Sequence, residues 1–384
     1  MISPESDDDD VIFALEHPDR VRRVDFSIRH SDSIIQDVLE VMQVPFPALT
    51  YLDLTGPGPE DDEDEFNLPS GFLGGCAPCL QHIHLYTISF PALTKLLSSA
   101  RGLVCLELYN IPSTFYRHIL PEAMIGGLDG LTSLRALSIH FPTPFDELPI
   151  KKRKRGDPPM RAALPALTRF DFTGECEYLE AFIAQIDAPQ VEVVDVGYIT
   201  SSVKKIRHLY QFVGRTPILE SARFGRALVT FNVGHARIEL DRPQGKCQQA
   251  RLSLTVAIED DYYHVPRLLG RLAVMLSNVD QLSVETGLYW TVNGDRTETS
   301  RWLYFLRQFP AVEALSVTGG LAVNIALTLG QMVSETVTEV LPALRLLHLS
   351  NVDEPPGSIA RYLVLRRLSG CPVTVTNTQE KFDE

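Results

Sequence analysis

The densest group of residues that could bind a metal ion is Cys76, Cys79, His82 and His84. Thiolate and imidazole are ligands that zinc prefers, and four of them would complete a tetrahedral site. However, His82 and His84 alternate with apolar residues, which predicts an extended strand, whereas four ligands in so short a segment would have to fold tightly around the ion. We therefore predict no metal site and no cofactor, and keep a metal-dependent enzyme as the last alternative.

Catalytic motifs are the next possibility. Serine, histidine and aspartate are all present, but none lies in a nucleophile elbow or another recognisable catalytic motif. The glycines at 71–75 and 126–130 lack the spacing and the lysine of a phosphate-binding loop. We predict that the chain has no catalytic residues and is not an enzyme.

A basic run lies between Pro149 and Pro158 and consists of Lys151, Lys152, Arg153, Lys154 and Arg155. This composition matches a nuclear import signal or a patch that binds polyanions. The alternative is an exposed loop between two structural elements, for which a basic composition needs no function. We expect a cytoplasmic protein, with nuclear entry if this run is used.

Composition limits the partners that the chain can bind. The net charge of -14 opposes general binding to nucleic acid, because its phosphates attract basic surfaces. No apolar stretch is long enough to span a membrane, and the acidic N-terminus is unlike a signal peptide. Six scattered cysteines favour reduced thiols over a disulfide framework. An intracellular monomer that binds another protein, and neither nucleic acid nor membrane, is expected.

The elements that position these residues are indicated by a recurring phrase. It consists of an apolar residue, two variable residues, an apolar residue, one variable residue and a further apolar residue, often after a proline. Its apolar positions are Val21/Val24/Phe26, Leu49/Leu52/Leu54, Leu80/Ile83/Leu85, Leu103/Leu106/Leu108, Leu134/Leu137/Ile139, Leu167/Phe170/Phe172, Val191/Val194/Val196, Leu219/Ala222/Phe224, Val279/Leu282/Val284, Val312/Leu315/Val317 and Leu344/Leu347/Leu349, with a degenerate copy at Leu252/Leu254.

The spacing of the phrase predicts the fold. Its last two apolar residues lie two apart, as on the buried side of a short strand. Segments between the phrases show helical spacing, as in EYLEAFIAQI, where Leu179, Phe182, Ile183 and Ile186 form one stripe. We therefore predict an α/β leucine-rich-repeat solenoid, a right-handed β-α superhelix of the cytosolic long-repeat type with about 12 repeats.

The same pattern predicts the domain organisation. Residues 1–20 form an acidic N-terminal segment, 21–376 the solenoid, and 377–384 a C-terminal tail. An acidic loop at 56–66 and a basic loop at 149–161 interrupt the solenoid. Between 225 and 278 the phrase is weakest, and the sequence there is more typical of plain strands.

A candidate binding surface follows from the strand periodicity, because the variable residue between the last two apolar positions points away from the core. In the first seven phrases this set, the acidic row, comprises Asp25, Asp53, His84, Glu107, Ser138, Asp171 and Asp195. The five later residues, Arg223, Ser253, Ser283, Ser316 and His348, include no carboxylate.

The neighbouring outward positions add Tyr51 and Arg169 to the acidic row. Acidic and aromatic side chains together suit a basic partner, whereas stacked like charges are unfavourable unless arginines such as Arg23 and Arg169 neutralise them. We hypothesise a partner site formed by Asp25, Tyr51, Asp53, His84, Glu107, Arg169, Asp171 and Asp195. The alternative is an outward face that is merely soluble.

Several segments resemble the F-box-like leucine-rich-repeat proteins of mushroom-forming fungi. The resemblance rests on VRRVDFSI, FPALTYLDL, LPSGFLGGCAPCLQHIHL, LPALTRFDFTGECEYLEAFIAQIDAPQVEVVDV and VTEVLPALRLLHLSNVDEPPGSIARYLVLRRLSGCPVTV. In that family an N-terminal F-box docks onto the adaptor of a cullin-RING ubiquitin ligase, and the repeats bind the substrate. The resemblance implies a substrate-recognition arm.

One feature departs from that family, because no F-box-like helical stretch precedes Val21. Binding to the ligase adaptor is therefore expected only if an F-box is encoded upstream. The alternative is a stand-alone repeat scaffold, or a truncated gene model, without a role in a ligase.

Overall fold

The computed structural model describes most of the chain. The described residues are 8–28, 35–57, 66–111, 119–142, 161–198, 207–242, 250–257, 269–270, 272–287, 297–332, 337–350 and 357–378. The basic run at 151–155, most of the acidic loop and the last six residues lie outside these ranges.

The described residues form sixteen strands. They are β1 (Arg23–Ser27), β2 (Tyr51–Thr55), β3 (His82–Tyr86), β4 (Cys105–Tyr109), β5 (Ala136–His140), β6 (Ala162–Ala163), β7 (Arg169–Gly174), β8 (Ile186–Asp187), β9 (Val193–Tyr198), β10 (Arg226–Asn232), β11 (His235–Asp241), β12 (Arg251–Ala257), β13 (Gln281–Thr286), β14 (Ala314–Val317), β15 (Leu346–Ser350) and β16 (Thr374–Thr378).

Helices lie between many of the strands. They are α1 (Asp8–Leu15), α2 (Ile35–Val41), a 3-10 turn (Phe72–Gly75), α3 (Leu93–Ser99), α4 (Pro121–Leu128), α5 (Cys176–Ile183), α6 (Arg207–Arg215), α7 (Pro217–Glu220), α8 (Ala273–Leu276), α9 (Thr297–Leu306), α10 (Leu321–Gly330) and α11 (Gly357–Leu368).

Fourteen of the described strands form one sheet in the order β1-β2-β3-β4-β5-β7-β9-β12-β11-β10-β13-β14-β15-β16, and β6 pairs with β8 separately. The predicted leucine-rich-repeat solenoid of about 12 repeats is therefore wrong. The chain is an α/β fold with a single large, mostly parallel sheet, larger than such a solenoid typically has. Its strand order reverses at β12-β11-β10, where the pairings are antiparallel.

The reversal has a physical cause in the sequence between 222 and 257. A hairpin turn at Val233 and Gly234 joins β10 to β11, and Gly234 adopts a φ of +77°, which glycine tolerates without strain. Two strands joined by so short a turn must pair antiparallel. The predicted phrase at Ala222–Phe224 is not a strand, and Leu252 and Leu254 lie on the antiparallel strand β12.

The chain divides into two compact units, residues 1–194 with 204–218, and residues 195–203 with 219–384. In the first unit, β1 to β5 and β7 pair in parallel, each in register with the next. The apolar phrase positions of these strands are buried as predicted, except for Phe26, which is partly exposed, and Leu52, Leu106 and Leu137 are fully inaccessible. Because these apolar residues face the core, the residues that alternate with them along each strand must face outward.

A short turn precedes most strands of the first unit and sets where each strand begins. The amide of the first apolar phrase residue donates to the carbonyl three residues earlier, as in Leu49 N to Phe46 O at 3.2 Å and Leu103 N to Ala100 O at 3.0 Å. Pro47 in FPAL suits such a turn, because its ring fixes φ near the value required. The turn explains why a proline so often precedes the phrase.

Helices cover the buried side of these strands. In α5, Leu179, Phe182 and Ile183 are buried as the helical spacing predicts, but Ile186 lies in β8 and the helix ends before it. The carboxylate of Glu180 accepts hydrogen bonds from the backbone amides of His208 (2.7 Å) and Leu209 (2.9 Å). It thereby caps α6 from a neighbouring helix and satisfies amides that have no partner within that helix.

The second unit combines the antiparallel strands β10 to β12 with the parallel strands β13 to β16. Its helices α9, α10 and α11 follow one another along the chain. None of the described helices is long and apolar enough to cross a membrane.

Candidate partner-binding face

Parallel pairing in the first unit places six residues of the acidic row on adjacent strands. Asp25 faces Asp53, then His84, Glu107, Ser138 and Asp171 follow in register. Neighbouring strands lie about 4.8 Å apart, so each member of the row is within interaction distance of the next. The hypothesised row is therefore one continuous feature over these six strands.

Asp25, at one end of the row, is neutralised by the chain itself. Arg23 Nη2 lies 2.7 Å from Asp25 Oδ2, and the Arg23 guanidinium lies 4.0 Å from the centre of the Tyr51 ring. The hydrogen bond to Asp25 raises the pKa of Arg23. An arginine is thus held by a carboxylate and a tyrosine face together, the combination that favours guanidinium binding.

Asp53 is held by two neighbours. The Tyr51 hydroxyl donates to Asp53 Oδ2 at 3.0 Å, and His84 Nδ1 lies 2.8 Å from Asp53 Oδ1. Burial, with the hydrogen bond to Asp53, raises the pKa of Tyr51, so this hydroxyl remains a donor at neutral pH. Both carboxylate oxygens therefore already have partners.

Asp171 is far less accessible than its place in the row suggested. It is 4% exposed, and its Oδ2 accepts hydrogen bonds from Arg169 Nε (2.6 Å) and Ser138 Oγ (3.1 Å). Arg169 itself remains largely exposed. Asp171 Oδ1 is buried and has no hydrogen-bond partner among the described residues.

Glu107 differs from these three carboxylates. It is half-buried, and its side-chain hydrogen bond among the described residues is the one that its Oε1 accepts from the Cys105 thiol at 3.5 Å. Burial, and then the charge and hydrogen bond of Glu107, raise the pKa of Cys105 to about 12. The thiol is therefore protonated at neutral pH and cannot supply a reactive thiolate.

Tyr109 and His140 belong to this face but were missed by the sequence reasoning. The Tyr109 ring lies 5.5 Å from that of His84 and 4.6 Å from that of His140, measured between ring centroids. Both residues follow the last apolar position of their phrase, so the same two-residue alternation could have found them. They line the row with aromatic surface.

Asp195, the seventh member of the acidic row, belongs to the second unit. There it accepts a hydrogen bond from Arg237 Nη2 at 2.8 Å. The later outward residues Ser283, Ser316 and His348 are in register on β13 to β15. His348 Nδ1 also lies 2.9 Å from Thr376 Oγ1. These three outward residues are therefore polar and include no carboxylate.

The candidate zinc ligands do not converge. Cys76 and Cys79 are exposed in the segment before β3, whereas His82 and His84 project from that strand. Within the described ranges no group of three or more cysteine, histidine or acidic residues could hold a metal ion.

Comparison with known proteins yields little similarity. No known family model matches the chain, and no curated protein matches it. Among solved structures, the Thermus thermophilus RuvC structure has 16% identity and a TM-score of 0.19, and T. thermophilus RuvC in complex with a Holliday junction substrate has 15% and 0.17. Each match covers 38% of this chain and 96% of the other. Values this low carry no argument about fold or function.

Proposed function

We propose that this chain is a protein-interaction scaffold whose first unit binds a basic partner across the acidic row. The observation that carries the proposal is the in-register alignment of Asp25, Asp53, Glu107 and Asp171 on one side of the sheet. Only two arginines, Arg23 and Arg169, pair with these four carboxylates among the described residues. The surface thus keeps negative charge for a partner.

Aromatic rings between the carboxylates support the same conclusion. Tyr51, His84 and Tyr109 place aromatic rings beside negative charge, and protein interfaces are enriched in tyrosine and arginine. A lysine- or arginine-rich segment could therefore gain both charge pairing and ring contacts along the row.

The test is affinity capture with mass spectrometry, using the full chain and a double charge reversal, Asp25→Lys with Asp53→Lys. We choose these two positions because Asp171 is buried, and a lysine there would disturb folding rather than the surface. The double variant should lose the basic proteins that the wild type captures, since attraction becomes repulsion.

The matched control reverses two exposed carboxylates of the second unit, Glu313→Lys with Glu339→Lys. Each of these also lies near one arginine, at 4.0 Å and 3.5 Å respectively, and the net charge changes by the same amount. Captured proteins should be retained by this control. Equal loss from both variants, or retention by both, would show that the acidic row is not the binding surface.

A narrower form of the proposal makes the scaffold the substrate-recognition arm of a cullin-RING ubiquitin ligase in the cytoplasm or, if residues 151–155 act as an import signal, in the nucleus. Its support is the sequence resemblance described above. Co-purification of the ligase adaptor with a version extended upstream, but not with this chain, is the expected result. No adaptor with either version would favour the stand-alone scaffold.

A further inference from the structure

Glu107 is the carboxylate of the acidic row for which the described residues provide neither an arginine nor a histidine partner. Asp25 pairs with Arg23 and Asp171 pairs with Arg169, whereas Asp53 Oδ1 lies 2.8 Å from His84 Nδ1. Glu107 forms no ion pair with any of the described residues, and the Cys105 thiol is a weak hydrogen-bond donor. A half-buried carboxylate without a charged partner is an unfavourable arrangement unless a bound group completes it.

The contacts of Arg23, on the same face of the sheet, indicate which chemical group could complete Glu107. Arg23 binds Asp25 with its guanidinium edge and stacks on Tyr51 with its flat side. Glu107 likewise has a tyrosine beside it, because Tyr109 lies two residues further along β4 and points to the same side of the sheet. A carboxylate and a tyrosine ring hold Arg23, and the same two groups recur at Glu107 and Tyr109.

Asp171 supplies a second and independent observation. Its side chain is more than nine-tenths buried, and Oδ1 has no hydrogen-bond partner among the described residues. It lies two strands from Glu107 in the same row, with Ser138 between them. Burial has the largest effect on the pKa of Tyr109 and raises it, and a hydrogen bond with Ser138 lowers it. The charges of Glu107 and Asp171 raise this pKa further, against the charge of Arg169, which lowers it. The negative charges of both carboxylates therefore reach the Tyr109 position, as does the positive charge of Arg169.

We infer that Glu107 and Tyr109, with the buried carboxylate of Asp171 two strands further along the same row, form a subsite for an arginine side chain of the partner. The inference rests on the proposed function and specifies which residue of the basic partner is recognised, and where. The guanidinium pairs with Glu107 and stacks on Tyr109, while Asp171 adds attraction without direct contact, because a ligand cannot reach its buried oxygen. Arginine fits better than lysine, since a planar guanidinium can pair and stack at once.

The test is fluorescence anisotropy with the full chain and a labelled peptide of alternating glycine and arginine, beside peptides in which citrulline or lysine replaces arginine. Citrulline keeps the shape of arginine without its charge. Glu107→Gln should weaken binding of the arginine peptide about tenfold, because a charge-assisted hydrogen bond is lost. Tyr109→Leu should weaken it about threefold, and Tyr109→Phe, which keeps the ring, should restore binding.

The matched control is Glu313→Gln, an exposed glutamate of the second unit that lies outside the acidic row, and the affinity of this variant should stay within about twofold of the wild type. Thermal unfolding confirms that each variant is folded. Binding that is unchanged in Glu107→Gln would overturn the subsite but leave the acidic-row scaffold standing, whereas failure of the wild type to bind the arginine peptide would overturn both. Equal affinity for the lysine peptide would overturn the assignment to arginine.

Discussion

At the scale of single residues, the surroundings of each charged group decide what it can do. Asp53 and Asp171 lie in one row with equal formal charge, yet Asp53 bonds through both oxygens and Asp171 is buried with one oxygen unused. Glu107 differs from both because the described residues give it no arginine or histidine partner. Carboxylates that look alike in the sequence are therefore distinct sites, and Glu107 is the one to which we assign the arginine of the partner.

Arg366 is a charged residue with a structural role. It is 0% exposed, and its five hydrogen bonds all go to backbone carbonyls, with distances from 2.8 to 3.4 Å. The acceptors are the carbonyls of Val337, Leu341, Pro342, Leu344 and Cys371. One side chain at the end of α11 thus holds the segment before β15.

We predict that Arg366→Met lowers the free energy of unfolding by about 3 kcal/mol, because several buried carbonyls lose their donor at once. The measurement is a urea titration followed by circular dichroism. Arg367→Met, at the exposed neighbouring position, is the control and should change stability by less than about 0.5 kcal/mol. Equal effects of the two substitutions would show that the carbonyl contacts do not stabilise the fold.

At the scale of elements, the antiparallel strands β10 to β12 carry their own charge network. Glu239 on β11 accepts hydrogen bonds from Arg237 and, at 2.6 Å, from Arg251 on β12. Arg237 also reaches Asp195 on β9. Burial alone would raise the pKa of Glu239, but the hydrogen bonds and charges of the two arginines outweigh it and lower the pKa. The network thus joins β11 to its successor β12 and to β9, which is not its neighbour in chain order.

This network predicts a pH-dependent stability. Because the folded chain favours the ionised carboxylate, Glu239 stabilises the fold above the ordinary glutamate pKa of about 4.3, and this contribution is lost as the pH falls through the lowered folded-state pKa. Glu239→Gln should therefore lower the urea midpoint at pH 7 and have a much smaller effect near pH 3.

The control for this prediction is Glu313→Gln, whose carboxylate is more than half exposed and lies 4.0 Å from its arginine. Exposed pairs at this distance contribute little, so the midpoint should barely change at either pH. A Glu239→Gln effect that is the same at both pH values would show that ionisation of Glu239 is not what stabilises the strands.

At the scale of the whole molecule, the net charge of -14 acts together with the acidic row. An acidic protein attracts a basic partner from a distance, and salt screens that attraction. Under the proposed function, the general charge would speed encounter, whereas the aligned carboxylates of the first unit would set where the partner docks.

We predict that the association rate of the arginine peptide falls at least about tenfold when the salt concentration rises from about 0.05 M to about 0.5 M. Stopped-flow anisotropy measures this rate. The two double charge reversals separate local from general attraction, since Asp25→Lys with Asp53→Lys should slow association more than Glu313→Lys with Glu339→Lys. Equal slowing would mean that net charge alone guides the partner.

The sequence alone was sufficient for the alternation of buried and outward residues along each strand. Leu52 and Leu54 are buried and Asp53 lies outward because the backbone geometry of a strand imposes a period of two, which depends only on neighbouring residues. The order of the acidic row across β1 to β5 and β7 followed from the same rule, once successive phrases were expected to pair in parallel.

Only the tertiary structure decided which strands pair in the middle of the sheet, and this overturned the predicted fold. A strand offers hydrogen-bonding groups on both edges, so its partners are selected by contacts between residues far apart in sequence, such as Arg237 with Asp195. Distant contacts also decide the properties of the candidate site. Which side chains pack around a carboxylate of the acidic row determines whether it is buried, as Asp171 is, or has no arginine or histidine partner among the described residues, as for Glu107.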